Sequence, residues 1–176
     1  MLRYLPLVLL LSSCFADELE EDMNRDPFFD LATYIDQQVD SLQRVGTTVT
    51  KTITLNGSTE SKELSDLAFG SDLRVFRESD INKPAWLDKY DTQQNETDGL
   101  LTRTYSAMDS SMQTRQLTVI SRDGEPVSIE IIRKTGTVLS DGWHRLVYDP
   151  SSGYQLRTLQ HNTFGDDLDA DIRVSW

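Results

Sequence analysis

The second half of this chain is a succession of short β-type runs, each closed by turn residues, and that rhythm limits the fold more than any other feature. Residues 100–106, 113–121, 127–134, 137–149, 154–162 and 169–176 read as strands. They are separated by Arg122-Asp123-Gly124-Glu125, Thr135-Gly136, Pro150-Ser151-Ser152-Gly153 and Gly165-Asp166-Asp167. Val127, Ile129 and Ile131, and again Ile172, Val174 and Trp176, alternate with other residues at the period of a sheet that buries one face. Connections this short exclude parallel crossovers, which need about a dozen residues or more, so consecutive strands pair antiparallel. Upstream, residues 47–55 turn β-branched, Asn56-Gly57 is a strong two-residue hairpin signal because both positions accept positive φ, and 58–64 is the return strand. Thr48, Thr50, Thr52 and Thr54 mark the solvated face of the first strand, opposite Val49, Ile53 and Leu55. A meander of about eight strands tends to curl.

Helical periodicity is confined to the first half. Asp26 is placed to cap a helix with Pro27 at its first position, where the missing N–H costs nothing. Phe28, Leu31, Ile35, Val39 and Leu42 then recur at three- and four-residue spacing until Gly46 ends the run. A shorter helix is expected over 71–78 with Leu73 and Phe76 inward. An irregular segment with Pro84 follows, and then a polar loop over 88–99. The expectation is a single α+β domain over residues 26–176. In it, an N-terminal amphipathic helix and a short second helix pack on a curled, half-barrel-like antiparallel sheet of about eight strands.

The first residues point to the cell envelope. Arg3 followed by the apolar run from Leu5 to Leu11 has the form of a signal peptide, too short for the ~20 apolar residues that span a bilayer. Leu11-Ser12-Ser13-Cys14 resembles the bacterial lipobox, which implies cleavage after residue 13 and lipid, including palmitate, on Cys14. Residues 14–25 form an acidic tether, with five carboxylates between Asp17 and Asp22. Acidic residues behind the cysteine resemble the surface-export signal of Bacteroidetes lipoproteins. Phe15 rather than aspartate follows Cys14, so the inner-membrane retention rule of enteric bacteria does not apply. The expected location is the outer membrane, lipid-anchored, facing the periplasm or the cell surface.

Charge narrows the partners. The formal charge is −12, and loss of Arg3 with the signal leaves sixteen basic against twenty-nine acidic side chains. Such a chain repels phosphate backbones, and nucleic acid is not an expected partner. With Cys14 acylated, no thiol remains for disulfides, catalysis or metal. His144 and His161 lack metal-ligand spacing, and no nucleophile elbow is present. Asp167, Asp169 and Asp171 imitate the start of a calcium loop, but Ile172 occupies the turn-glycine position and no closing glutamate follows. No catalytic, cofactor or metal residues are assigned. One segment is a candidate partner or pocket site: Asp80, Asn82 and Trp86 stand on the irregular stretch 79–86, where polar groups flank an aromatic. The same residues suit, as the favoured reading, a helix exit pinned by Ile81 and Trp86, since buried aromatics usually do packing duty.

Taken in order, the lipobox, the helix opened by Phe28-Phe29, the hairpin over 48–64, the segment 77–86 and the turn from Tyr148 to Tyr154 resemble a family of small uncharacterised Bacteroidetes lipoproteins. The resemblance implies an envelope location and this fold, without an activity. Three function classes follow. The leading one is a non-enzymatic outer-envelope lipoprotein acting as an accessory or binding module, with the membrane as partner through Cys14 and an envelope protein as a further one. The second is a carrier of apolar ligands or lipoproteins in a half-barrel cavity. The third is a hydrolase using paired carboxylates.

Overall fold

A computed structural model describes residues 28–176; Cys14, the expected signal peptide over 1–13, the expected tether over 14–25 and Asp26-Pro27 lie outside the described residues. The first element is helix α1 (Leu31–Val45), followed by strands β1 (Val49–Leu55) and β2 (Ser58–Leu64). Two single-turn helices, α2 (Phe69–Asp72) and α3 (Arg74–Arg77), and a 3₁₀ turn over Pro84–Trp86 lead to β3 (Tyr90–Thr97). The remaining strands are β4 (Leu100–Ala107), β5 (Thr114–Arg122), β6 (Glu125–Gly136), β7 (Ser140–Asp149), β8 (Gly153–Asn162) and β9 (Leu168–Ser175). All nine form one antiparallel sheet in the order β2-β1-β9-β8-β7-β6-β5-β4-β3, and the sheet is not closed. Every neighbour is consecutive in sequence except β1 and β9, whose pairing brings the N-terminal hairpin onto the end of the meander.

The strand count corrects the expectation of eight. The stretch expected as a polar loop over 88–99 contains β3, paired with β4 from Tyr90↔Ala107 to Thr97↔Leu100. Its residues after Tyr90 are all exposed, as suits an edge strand made of Asp, Thr, Gln, Asn and Glu. Asp98 (φ 54°) and Gly99 (φ 72°) close it as a two-residue turn, the same device as Asn56-Gly57 and Asp123-Gly124. Two further corrections concern helices. Helix α1 begins at Leu31, not at Pro27: Asp30 is the cap, its carboxylate accepting from the Thr33 N–H at 2.9 Å. The expected second helix is broken at Leu73 into α2 and α3.

One face of the sheet carries the core. Leu117, Val119, Ile129, Ile131, Leu146, Tyr148, Tyr154 and Val174 are buried beneath Leu31 and Ile35 of α1, with Phe69 of α2, Phe76 of α3 and Leu73 between them alongside. The aromatic rings meet edge-on or tilted, Phe76 with Tyr148 at 6.0 Å and with Tyr154 at 5.9 Å, and Phe69 with Trp176 at 6.1 Å. The Tyr148 hydroxyl donates to Gln38 of α1 at 3.1 Å. Asp72 fastens α2 to the sheet by accepting from the Lys51 ammonium and from the Tyr154 hydroxyl. Burial, followed by that carboxylate, pushes the Tyr154 phenol far above its ordinary range. The helices stop short of one end of β1: Val49 is buried, whereas Ile53 and Leu55 on the same face are 39% and 49% exposed. The other face is solvated. There Thr52 pairs with Ser61 and Thr54 with Thr59 across the hairpin, and the Arg145 guanidinium donates twice to Glu130 across β6 and β7.

Candidate functional site

Antiparallel pairing gathers the β1–β2, β4–β5, β6–β7 and β8–β9 connections at one end of the sheet, and the last three are closed by their own side chains. In the β6–β7 turn the Thr137 hydroxyl accepts from the N–H groups of Leu139 and Ser140, both at 3.1 Å. With the backbone closed this way, Val138 and Leu139 face water, 96% and 56% exposed. In the β8–β9 turn Asp167 accepts from the Asn162 N–H at 2.9 Å and contacts the His161 ring, while the Asn162 amide donates to the Asp166 carbonyl. The Asn162 N–H first, then His161, hold the Asp167 carboxyl below its usual range. Phe164, just before Gly165 (φ 87°), is left 79% exposed. The two turns touch, the Thr163 N–H donating to the Leu139 carbonyl at 2.9 Å. Asn56 of the β1–β2 turn joins them by exchanging two bonds of 2.8 Å with the Asp169 backbone.

Between these turns and the β4–β5 loop runs an open groove of about 940 Å³. Residues 110–113 line one side; 134–136, 141–143, 159–161 and 167–169 line the rest. Gly142 and Trp143, and Leu159 and Gln160, point to opposite faces yet both line it, so the groove follows the end of the sheet rather than one face. His144 stands one step inward. Its Nε2 lies 2.9 Å from the Thr135 hydroxyl and its Nδ1 3.0 Å from that of Thr158. Burial, then the Arg133 charge, lowers its pKa below the ordinary 6.5, so the ring is neutral at pH 7. A hydroxyl can donate or accept, so the two threonines satisfy whichever tautomer is present. Arg133 lies without a salt bridge among the described residues; it donates to the Val75 carbonyl and to Gln113.

The residues singled out from the sequence lie on the helical side of the β4–β5 loop. Asn82 accepts from the Phe28 N–H at 3.3 Å and donates to the Phe29 carbonyl at 3.0 Å. Asp80 accepts from the Asn82 backbone N–H and from its side-chain amide. The pair is thus brought together and spent on holding the chain's entry to α1. Trp86 stands apart on the 3₁₀ turn, partly buried against the core, with the Lys83 ammonium 4.0 Å from its ring centre. Cys14 lies outside the described residues. The aspartates of the C-terminal cluster are divided as well: Asp167 closes a turn, Asp169 faces Arg157, and Asp171 accepts from Gln155 and Arg173. Among the described residues no group of three or more His, Cys, Asp or Glu side chains converges to hold a metal ion.

Sequence reasoning missed the apolar turn tips because it began β7 at Thr137, which made Val138 and Leu139 ordinary strand residues. The strand begins at Ser140, and β6 runs on to Gly136, through the expected Thr135-Gly136 turn. The available signal was apolar residues beside turn formers, in Thr137-Val138-Leu139 and Thr163-Phe164-Gly165. No protein-family model, curated protein or solved structure matches this chain.

Proposed function

We propose that this protein is a non-enzymatic lipoprotein of the bacterial outer envelope. Cys14 anchors it, and it meets another envelope component with the open end of its sheet. The observation that carries the binding role is the concentration there of an open groove with Val138, Leu139 and Phe164 exposed beside it. Large exposed apolar side chains gathered in one place mark interaction surfaces, whereas singly scattered ones do not. The lipobox-like Leu11-Ser12-Ser13-Cys14 carries the anchor, and the family resemblance agrees with that envelope location.

We further read the sheet as curled into a half-barrel around the helices. In support, one short helical layer reaches strands far apart in sheet order: Phe28 packs on Tyr90 and Tyr105 of β3 and β4, and Phe69 on Trp176 just past β9. Flat, nine strands would spread over roughly 38 Å. A carrier of apolar ligands would need an empty apolar space under that layer. Tyr148, Phe76, Leu31, Ile35, Leu73 and Ile81 fill it, each under 2% exposed, which favours the accessory role.

Fractionation tests the proposal. Cys14→Ala is expected to release the protein from membranes and abolish labelling by a clickable fatty acid. A photo-reactive residue at His161 in the anchored protein should give a discrete adduct that one at Ser152, at the far end, does not. Persistence of Cys14→Ala in the membrane fraction would remove the anchor, and equal adducts at both positions would remove the binding end.

A further inference from the structure

The two ends of the sheet differ in a way that strand pairing does not require. At the far end the hairpin turns are Asp98-Gly99, Asp123-Gly124 and Pro150-Ser151-Ser152, without a large apolar side chain among them, and Val45, 77% exposed at the end of α1, stands there singly. At the groove end, Val138, Leu139 and Phe164 stand in water in two touching turns, and Met108, 65% exposed, follows β4 on the same edge. The chain enters the described structure at this end too. The Phe28 N–H is held by Asn82, and the Phe28 ring packs 5.8 Å from Tyr90 and 5.4 Å from Tyr105, where β3 begins and β4 ends.

Cys14 lies fourteen residues before Phe28, so whatever path the chain takes, it reaches at most about 50 Å from that entry. Strands of this length stand roughly 30 Å tall. Turning the far end toward the lipid would consume more than half of that reach along the side of the protein. Turning the groove end toward it consumes almost none. Charge selects among lipid surfaces: Asp141, Asp166 and Asp167 are exposed around the apolar tips and the whole chain carries −12, so an anionic surface repels this end while a zwitterionic one does not.

We infer that Val138, Leu139 and Phe164 seat in the headgroup region of the zwitterionic bilayer that holds the anchor, with the groove opening onto the lipid headgroups. This rests on the anchored reading above and names the envelope component that the end of the sheet meets. In this arrangement the acylated Cys14 supplies the anchor, and apolar tips held close to the same surface orient the domain on it.

The full lipidated protein provides the test, since an acylated Cys14 leaves no free thiol and a new cysteine is the single labelling site. Thr163→Cys, next to Phe164, and Ser152→Cys, at the far end, are labelled with an environment-sensitive fluorophore. The proteins are then reconstituted into phosphatidylethanolamine–phosphatidylcholine vesicles. Emission at 163 is expected to shift to the blue and to be quenched by lipids carrying a nitroxide near the headgroup, while emission at 152 stays at its aqueous value. Adding Val138→Asp and Phe164→Asp, both at exposed positions, should return 163 to the aqueous value. An aqueous signal at both sites overturns the inference, as does a blue shift without lipid quenching, which means a protein surface or a second copy covers the tips. A label found on Cys14 by mass means the thiol is free, and then the anchor fails first and the inference with it.

Discussion

Gly153 shows how tightly single residues are bound by strand pairing. It begins β8 between Asp149 of β7 and Ser175 of β9, with φ at 135°. A Cβ there would lie 1.9 Å from the Val174 carbonyl oxygen, a backbone atom that cannot move aside without parting β8 from β9. Both the steric overlap and the positive φ penalise any side chain. Gly153→Ala is therefore expected to cost at least about 3 kcal/mol, read as a lower urea midpoint. A midpoint equal to that of the parent would mean the two strands approach less closely. Gly142 is constrained differently. A Cβ there would come within 2.6 Å of the Thr135 hydroxyl and 2.9 Å of His144 Nε2, so its bare backbone leaves room for the bond between them.

At the scale of elements, the stretch 79–86 acts as a splice between helices and sheet. Ser79 and Ile81 are fully buried, the Thr114 hydroxyl of β5 donates to the Ser79 carbonyl, and Asn82 grips the backbone on the N-terminal side of α1. Asn82→Ala should lose about 1–3 kcal/mol, because the Phe28 N–H and Phe29 carbonyl are left without their partner. Amide exchange should rise at Phe28 and stay unchanged in β7 and β8; uniform acceleration would instead mean that the whole fold had loosened. These bonds join residues more than fifty positions apart, which is why the start of α1 was not legible in the sequence. Asp26-Pro27 satisfies the local grammar of a helix start, and a distant asparagine holding residues 28 and 29 out of the helix overrides it. The β3 strand was hidden for another reason. An edge strand exposed on both faces needs no apolar alternation, so only its turn, Asp98-Gly99, betrayed it. Where burial dictates the residue, as at Val127, Ile129 and Ile131 or along α1, periodicity sufficed. The candidate site was illegible because its apolar tips are 26 residues apart in sequence and meet only through the pairing of β7 with β8.

Across the whole molecule, stability should depend on pH in two separate windows, and the sign is the same in both. His144 is held neutral by burial and by Arg133, its pKa below the ordinary 6.5. In the unfolded chain it takes up a proton as pH falls through 6.5, while in the folded chain it does so only lower. The unfolded state then binds more protons, and stability falls with pH across that interval. Asp109, held low first by the Ser111 N–H and then by its hydroxyl, and Asp167, held low by Asn162 and His161, act alike from their ordinary 3.8 downward. Both contributions are fully present at neutral pH. Thermal unfolding should accordingly show a Tm that is level above about pH 7, declines below about 6.5 and drops again below about 4. His144→Gln, which can still bond to Thr135 and Thr158 but cannot take a proton, should flatten the first decline and leave the second in place. A first decline that survives His144→Gln would assign it to another group. Asp167, which lines the groove, would still tie that end of the sheet to the second decline.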